Sequence, residues 1–167
     1  MLINLNYYFI VYFYITDYRD YAVSAIFHSI IKPTRNSSKK LPSILTAQLF
    51  TCTICSTQLE FDQEVEQLRD QYRSTNSQLS PRVYVVGDPE HLESFFVVAD
   101  KFTYKLPTLL RCFDVVVKAT HVLNYQFPES SETSYCFFSR YFYDINYLRK
   151  SQNAQLLQLF AFLDKKQ

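Results

Sequence analysis

The most regular pattern of apolar and polar positions lies within residues 82–144. The continuous apolar run at 83–86 predicts a buried, central strand, and the turn residues at 87–89 follow it. Two β-rich runs within 95–106 are separated near Asp100, and this arrangement predicts a hairpin. Together these segments predict a small antiparallel sheet.

In the second strand of this hairpin, apolar and polar side chains alternate. Phe102, Tyr104 and Leu106 fall on one face, whereas Thr103 and Lys105 fall on the other. Successive side chains of a strand point to opposite faces of the sheet. We therefore expect the first face to be buried and the second to lie in solvent.

The segment 58–73 predicts a helix that carries its own start signal. Thr57 and Glu60 stand three residues apart, which is the spacing of a capping box. Apolar residues recur every three or four positions, so they form one stripe that we expect to pack on the domain. The stripe consists of Phe61, Val65, Leu68 and Tyr72.

Three more helices are predicted after the hairpin. The first spans about 107–124, and its apolar arc is so wide that we expect it at the centre of the core. Asp114 and Lys118 form a favourable i,i+4 pair on its polar edge. The chain breaks at 127–128 before the next helix, and a last helix spans about 147–164. The middle helix is expected to bury Tyr135, Phe138, Phe142 and Ile145.

The first third of the chain lacks these regular patterns. Residues 2–16 carry no charge, yet the run is too short for a membrane-spanning helix and has no basic region before it. A buried strand, a poorly ordered leader and a membrane or signal role all stay open for it. We expect an apolar, aromatic leader of uncertain order at 1–31, a linker at 32–56 and a single domain at 57–167. The expected fold class is α+β, with a small antiparallel sheet packed on a C-terminal helical bundle.

Composition narrows the function classes. The chain holds one glycine, Gly87, in 167 residues. Phosphate-binding loops, dinucleotide turns and nucleophile elbows need several glycines, so the common enzymes built on them are excluded. The net charge of +1 requires neither nucleic acid nor membrane as partner. The chain is rich in aromatic residues, with 15 Phe and 14 Tyr, and its four cysteines favour reduced thiols in an intracellular protein.

Cys52 and Cys55 form a CxxC pair that could supply half of a zinc site. Tetrahedral zinc needs two further ligands, and the candidates Cys112, His121 and Cys136 all lie far away in predicted core helices. We therefore expect two small buried thiols just ahead of a helix and no metal site.

A second cluster, consisting of Asp88, Glu90, His91 and Glu93, surrounds the single glycine. A histidine among carboxylates can act as a general base, but no nucleophile accompanies this one. We expect solvated turn residues and carboxylates at a helix start instead. His121 is expected to complement the dipole at the C-terminal end of its helix. No catalytic residue and no cofactor is assigned.

Four phrases within about residues 80–145 carry a family resemblance. They are Phe95-Phe96-Val97-Val98-Ala99-Asp100-Lys101, Leu106-Pro107, Ala119-Thr120-His121-Val122-Leu123-Asn124-Tyr125-Gln126-Phe127-Pro128 and Arg140-Tyr141-Phe142-Tyr143-Asp144-Ile145. This segment resembles the C-terminal segment of uncharacterised, mobile-element-associated animal proteins. The resemblance implies no activity and no site residue. It is compatible with the tail of a longer protein or with a degenerate copy that has an unrelated leader.

The function expected from the sequence is a non-enzymatic protein-interaction or self-association module, derived from a mobile-element protein. The apolar end of the last helix, at 156–163, motivates this expectation because it needs cover from the domain or from a partner. One alternative is a nucleic-acid-associated accessory domain, for which 140–141 and 147–150 place basic beside aromatic residues. The other alternative is a small protein anchored to a membrane through 2–16. The expected location is intracellular, in either nucleus or cytoplasm.

Overall fold

The computed structural model describes residues 17–31, 43–89, 91–128, 130–145 and 154–164. Within these ranges the chain forms six helices and one four-stranded sheet, so the predicted α+β class is confirmed. In chain order the elements are α1 (Asp17–Ile30), α2 (Ile44–Thr51), β1 (Cys52–Cys55), α3 (Gln58–Ser74), β2 (Arg82–Asp88), β3 (His91–Ala99), β4 (Phe102–Leu106), α4 (Leu109–Val122), α5 (Glu132–Tyr143) and α6 (Ala154–Asp164).

The sheet is mixed, which corrects the expectation of an antiparallel sheet. Its strand order is β1-β2-β3-β4, and the three strands from β2 to β4 are antiparallel, as predicted. β1 pairs in parallel with β2, and α3 is the crossover between them. Four residues that directly follow a helix carry too little pattern to identify such a strand. A parallel partner also cannot be recognised from a nearby turn, because its connection must span a whole helix.

Two layers of side chains cover the two faces of the sheet. On one face Val83, Val85 and Val97 pack against α1, α4, α5 and α6. On the other face Tyr84 and Val98 pack against the apolar stripe of α3. The central position that was predicted for β2 is therefore confirmed, and the continuous apolar run follows from burial on both faces.

The start and the stripe of α3 agree with the prediction. The Thr57 hydroxyl accepts a hydrogen bond from the backbone N–H of Glu60 at 3.2 Å. The Glu60 carboxylate accepts the backbone N–H of Ser56 at 2.7 Å, one residue before the usual capping-box donor. Phe61 and Val65 are buried at the centre of this layer.

Arg82 joins the α3 layer to α2. Its guanidinium lies 4.4 Å from the centre of the Phe50 ring and 5.6 Å from that of the Tyr72 ring. It also donates a hydrogen bond of 2.8 Å to the Tyr72 hydroxyl. A buried cation is stabilised by its contacts with aromatic rings.

The later helices agree with the prediction in most positions. α4 begins two residues after Pro107, because the Thr108 hydroxyl accepts the N–H of Arg111 and caps the helix. The predicted pair between Asp114 and Lys118 is present at 2.7 Å. α5 buries Tyr135 and Phe138 as expected, but Phe142 is exposed and Ile145 follows the end of the helix.

The core starts before the predicted domain boundary at residue 57. Phe27 and Ile31 at the end of α1 are core residues, and the predicted linker contains α2 and β1. Residues 1–16 and 32–42, on which the remaining leader and linker predictions fall, lie outside the described residues. α1 was missed because three positions four residues apart on its buried side are polar. They are Asp20, Ser24 and His28.

The apolar last helix docks on the domain. Leu156, Phe160 and Leu163 of α6 are buried, and the Phe160 ring stacks on that of Phe137 with the centroids 5.9 Å apart. The surface that motivated the functional expectation is therefore largely covered by the chain itself, although Leu157 is 40% exposed. Within the described ranges, no helix combines the length and the apolar character that crossing a membrane requires.

Gly87 sits at an irregularity where β2 turns towards β3. The register of the two strands shifts between Val86 and Gly87, and Gly87 has φ 129. A Cβ atom at this position would lie 2.4 Å from the carbonyl oxygen of His91. Both the backbone angle and the space therefore require glycine.

We expect Gly87→Ala to lower the free energy of unfolding by about 1–3 kcal/mol, because alanine strains this backbone angle and meets the opposite strand. Chemical denaturation measures the change. Asp88→Ala, at the exposed neighbouring position, is the matched control and should change stability by less than about 0.5 kcal/mol. Equal losses in the two variants would contradict the assignment of the strain to Gly87.

Candidate functional site

Cys52 and Cys55 lie on opposite faces of the sheet. Cys52 packs in the layer of α4 and α5, whereas Cys55 packs in the layer of α3. This follows from their spacing, because residues three apart on a strand point to opposite sides. The two thiols therefore cannot hold one metal ion between them. Burial raises the pKa of both, that of Cys55 to about 12, so they are inert, neutral thiols.

The other candidate ligands do not complete a metal site. Cys112 and Cys136 are buried thiols that form no disulfide, and burial raises the pKa of Cys136 to about 12. In the described part of the chain, no group of three or more His, Cys, Asp or Glu side chains is placed to hold a metal ion.

The residues around Gly87 lie on strands. Asp88 ends β2 and pairs with His91, which begins β3, and Glu93 follows on the same strand. All three are exposed at the end of a hairpin, while Glu90 lies outside the described residues. The prediction of solvated turn residues holds, but the predicted helix start was wrong. Pro89 turns the chain directly into β3 and leaves no room for a helix.

The carboxylate of Asp114 has a structural role on α4. Burial opposes its ionisation, but hydrogen bonds from Lys118, Tyr143 and Arg111 outweigh burial and lower its pKa. Tyr143 belongs to α5, so this carboxylate ties the two helices together. His121 is half-buried one turn beyond Lys118, and burial lowers its pKa. The neutral form is therefore favoured over the charged form that the dipole argument assumed.

His28 is a buried titratable residue that the sequence patterns did not single out. Its side chain is fully buried, and its Nε2 lies 2.8 Å from the Thr51 hydroxyl. That hydroxyl donates to the carbonyl of Ala47, so it accepts the proton of Nε2. The Ser134 hydroxyl lies 3.1 Å from Nε2 and 3.3 Å from Nδ1. Burial lowers the pKa of His28 to about 4 and keeps the ring neutral.

The neutral state of His28 makes stability depend on pH. The folded pKa of about 4 lies below the ordinary 6.5, so the contribution is complete above pH 6.5 and is lost as the pH falls towards 4. The shift corresponds to about 3 kcal/mol. The free energy of unfolding, measured across this pH range, should fall in the wild type as the pH is lowered. The part of this fall that is due to His28 should be missing in His28→Asn. His121→Asn is the control and should keep most of the pH dependence of the free energy of unfolding. If the control loses this dependence instead, its attribution to His28 is wrong.

The exposed apolar surface of the sheet is at β4. Phe102 is 49% exposed and Tyr104 is 51% exposed, and their rings stack with centroids 6.1 Å apart. The expected burial of this face was wrong, because β4 is the last strand of the sheet and the helices cover the strands before it. Only Leu106, next to the start of α4, is half-buried. The opposite edge, at β1, is short and mostly buried.

Among the described residues, no strand pairs with the outer side of the β4 backbone. The pair Ala99 and Phe102 closes the hairpin, and only a hydrogen-bonded pair can close a two-residue loop. Hydrogen-bonded and non-bonded pairs alternate along the strands. Phe102, Tyr104 and Leu106 therefore direct their N–H and C=O groups to β3. Thr103 and Lys105 direct theirs outwards, and we call this row of groups the β4 edge.

Asp100 fixes the hairpin that ends in the β4 edge. It has φ 45, and its backbone N–H donates to the carbonyl of Leu79 at 3.2 Å. Its carboxylate accepts the N–H of Leu79 at 2.9 Å and the hydroxyl of Tyr125 at 2.6 Å. Its carbonyl accepts the Nε–H of Arg69 at 2.9 Å. Four hydrogen bonds thus hold one turn residue, so the edge is presented in a fixed position.

The surroundings of the β4 edge are basic. The second donor of Arg69 reaches the hydroxyl of Thr103 at 2.9 Å, and Lys101 and Lys105 are exposed on either side. An open groove of about 400 Å³ lies between α3 and the hairpin. Its lining residues are Arg69, Tyr72, Arg73, Asn76, Ser77, Leu79, Asp100, Lys101 and Phe102.

A second exposed apolar surface lies on α1 and α2, and it consists of Ile26, Ile44, Leu45 and Leu49. A helix satisfies its own backbone groups except at its ends, so this surface offers side chains only. The β4 edge offers apolar rings together with unpaired backbone donors and acceptors, and it is therefore the better candidate for a site.

Comparisons of the chain with protein-family models, with curated proteins and with solved structures return no match.

We expect Asp100→Ala to lower the free energy of unfolding by about 2 kcal/mol for two reasons. The variant loses the carboxylate that accepts hydrogen bonds from Leu79 and Tyr125, and alanine disfavours the positive φ of this position. Asp100→Asn is the matched control: it keeps a side-chain acceptor and tolerates positive φ, so it should lose less. Amide exchange at Tyr104, whose N–H is directed to β3, should accelerate in the alanine variant. Unchanged exchange and stability would show that Asp100 does not hold the hairpin.

Proposed function

We propose that this chain is a non-enzymatic protein-interaction or self-association module that pairs its β4 edge with a strand of its partner. The observation that carries the proposal is an uncovered edge strand with two half-exposed aromatic rings, Phe102 and Tyr104. Unpaired strand edges bind extended segments through backbone hydrogen bonds, while alternate side chains give specificity.

The geometry of the hairpin supports this mode of binding. Thr103 and Lys105 present two N–H donors and two C=O acceptors to a partner, as argued above from the pairing of β3 with β4. Phe102 and Tyr104 would be covered by apolar side chains of the same partner strand. The four hydrogen bonds of Asp100 mean that little ordering is needed when the partner binds.

The state of the buried titratable groups supports a non-enzymatic role. The pKa of His28 is lowered to about 4 and that of Cys55 is raised to about 12, so neither is poised for proton transfer near pH 7. We further propose an intracellular location and an origin in a mobile-element-associated protein. The resemblance of residues 80–145 supports the origin, and the four buried cysteines, which form no disulfide, support the location.

The proposal is tested with the full chain and two variants at one position. Thr103→Pro removes an outward N–H that β3 does not use, and edge strands tolerate proline. Thr103→Val also loses the contact with Arg69 but keeps the N–H, so it is the matched control. Proline should weaken partner binding by roughly fivefold relative to valine, since a lost hydrogen bond costs about 1 kcal/mol.

Two measurements detect binding at the β4 edge. Light scattering over a wide concentration range detects association of the 19.8 kDa chain with itself. Titration with a synthetic peptide of alternating valine and glutamate, followed by the amide signals of Thr103 and Lys105, detects a foreign strand. If the chain stays monomeric and the peptide leaves both signals unchanged, the proposed function is wrong. Should Thr103→Pro fail to fold, Lys105→Pro with Lys105→Gln repeats the comparison.

A further inference from the structure

The proposed function does not specify which strand pairs with β4. We propose that the partner is a second copy of this chain, an inference that rests on the proposed function. The two β4 strands would pair antiparallel about a two-fold axis at Tyr104 and join the two sheets into one of eight strands. A closed two-fold contact uses the same surface on both copies, so it requires a strand that is complementary to itself.

The backbone of β4 meets this requirement. With the axis at Tyr104, Thr103 lies opposite Lys105 of the second copy, and Lys105 lies opposite its Thr103. These are the residues whose N–H and C=O groups point outwards. The pairing forms four hydrogen bonds and leaves no outward group of β4 unused. It ends at Pro107, which has no N–H to donate and would face Lys101 of the second copy.

The side chains of β4 match in the same register. Phe102 lies opposite Leu106 of the second copy, and Tyr104 lies opposite its own counterpart. These positions form non-hydrogen-bonded pairs, in which side chains approach most closely. Each copy therefore covers the half-exposed rings of the other with apolar groups. A shift of the register by one residue would place polar Thr103 or Lys105 against those rings instead.

Charge makes this dimer weak and reversible. Lys105 faces Thr103 of the second copy, so no two lysines lie directly opposite each other. Lys101, Lys105 and Arg69 of both copies nevertheless come to the same interface, and they repel one another. Lysine on an edge strand opposes pairing in general. We therefore expect association to strengthen as salt screens these charges, whereas binding of an acidic strand would weaken.

The register is tested by disulfide formation in the full chain. Tyr104→Cys should give a covalent dimer under mild oxidation, because the Cα atoms of a non-hydrogen-bonded pair lie about 4.5 Å apart, within the range of a disulfide. Thr103→Cys is the control: two residues at that position would lie more than about 7 Å apart, so it should give much less dimer. The native thiols are all buried and contribute little background.

A mixed pair keeps the test independent of Tyr104. Phe102→Cys mixed with Leu106→Cys should form the mixed disulfide dimer, while each variant alone should not. The molar mass of the chain in solution, measured at low and high salt, shows whether association strengthens with salt. Lys105→Thr should strengthen association several-fold, because it removes charge repulsion between the two copies.

The outcomes separate this inference from the proposed function. A dimer that increases with salt, together with disulfides at 104 and in the mixed pair, supports both. Association without these disulfides, or a monomer whose Thr103 and Lys105 signals move when the acidic peptide is added, overturns self-pairing and leaves the interaction module intact. A monomer that also ignores the peptide overturns both.

Discussion

Burial of β2 on both faces is the constraint on which the rest of the structure depends. All residues from Arg82 to Gly87 are buried, so a layer of side chains must cover each side of the sheet. α3 supplies one layer, and α1, α4, α5 and α6 supply the other. The pairing of β1 with β2 brings α2 beside α1, where Gln48 donates to the carbonyl of Ala25 at 2.7 Å. The helices follow from the need to enclose one strand.

The same enclosure explains why the cysteines and the histidine that could carry chemistry lie in the core. A CxxC pair on a strand sends one thiol into each layer, and burial keeps a fully enclosed histidine neutral. Enclosure also stops at β4, since the helices that cover β2 and β3 leave Phe102 and Tyr104 half-exposed. The least covered strand is also an edge strand, with outward backbone groups that pair with no other strand of the described residues, and it is therefore the candidate for binding.

Segments were predicted well where caps, apolar periodicity or turn residues lie close together in the sequence. Thr57 and Glu60 cap α3 as expected, Val83 to Val86 form a central strand, and the hairpin turns at Asp100 and Lys101. The candidate site was predicted only in part. The alternation in β4 identified the two faces of the strand correctly, but the apolar face was expected to be buried. The signal that could have corrected this was the position of β4 as the last strand before a helix.

The sequence by itself determined α3, the central position of β2, the hairpin of β3 and β4, and α4, because hydrogen bonding and side-chain periodicity act between near neighbours. Only the tertiary structure decided that β1 is a parallel strand, that α1 buries a polar stripe and that α6 docks on α5. It also decided that β4 stays open. Periodicity reports which side chains share a face, whereas cover depends on elements far away in the chain.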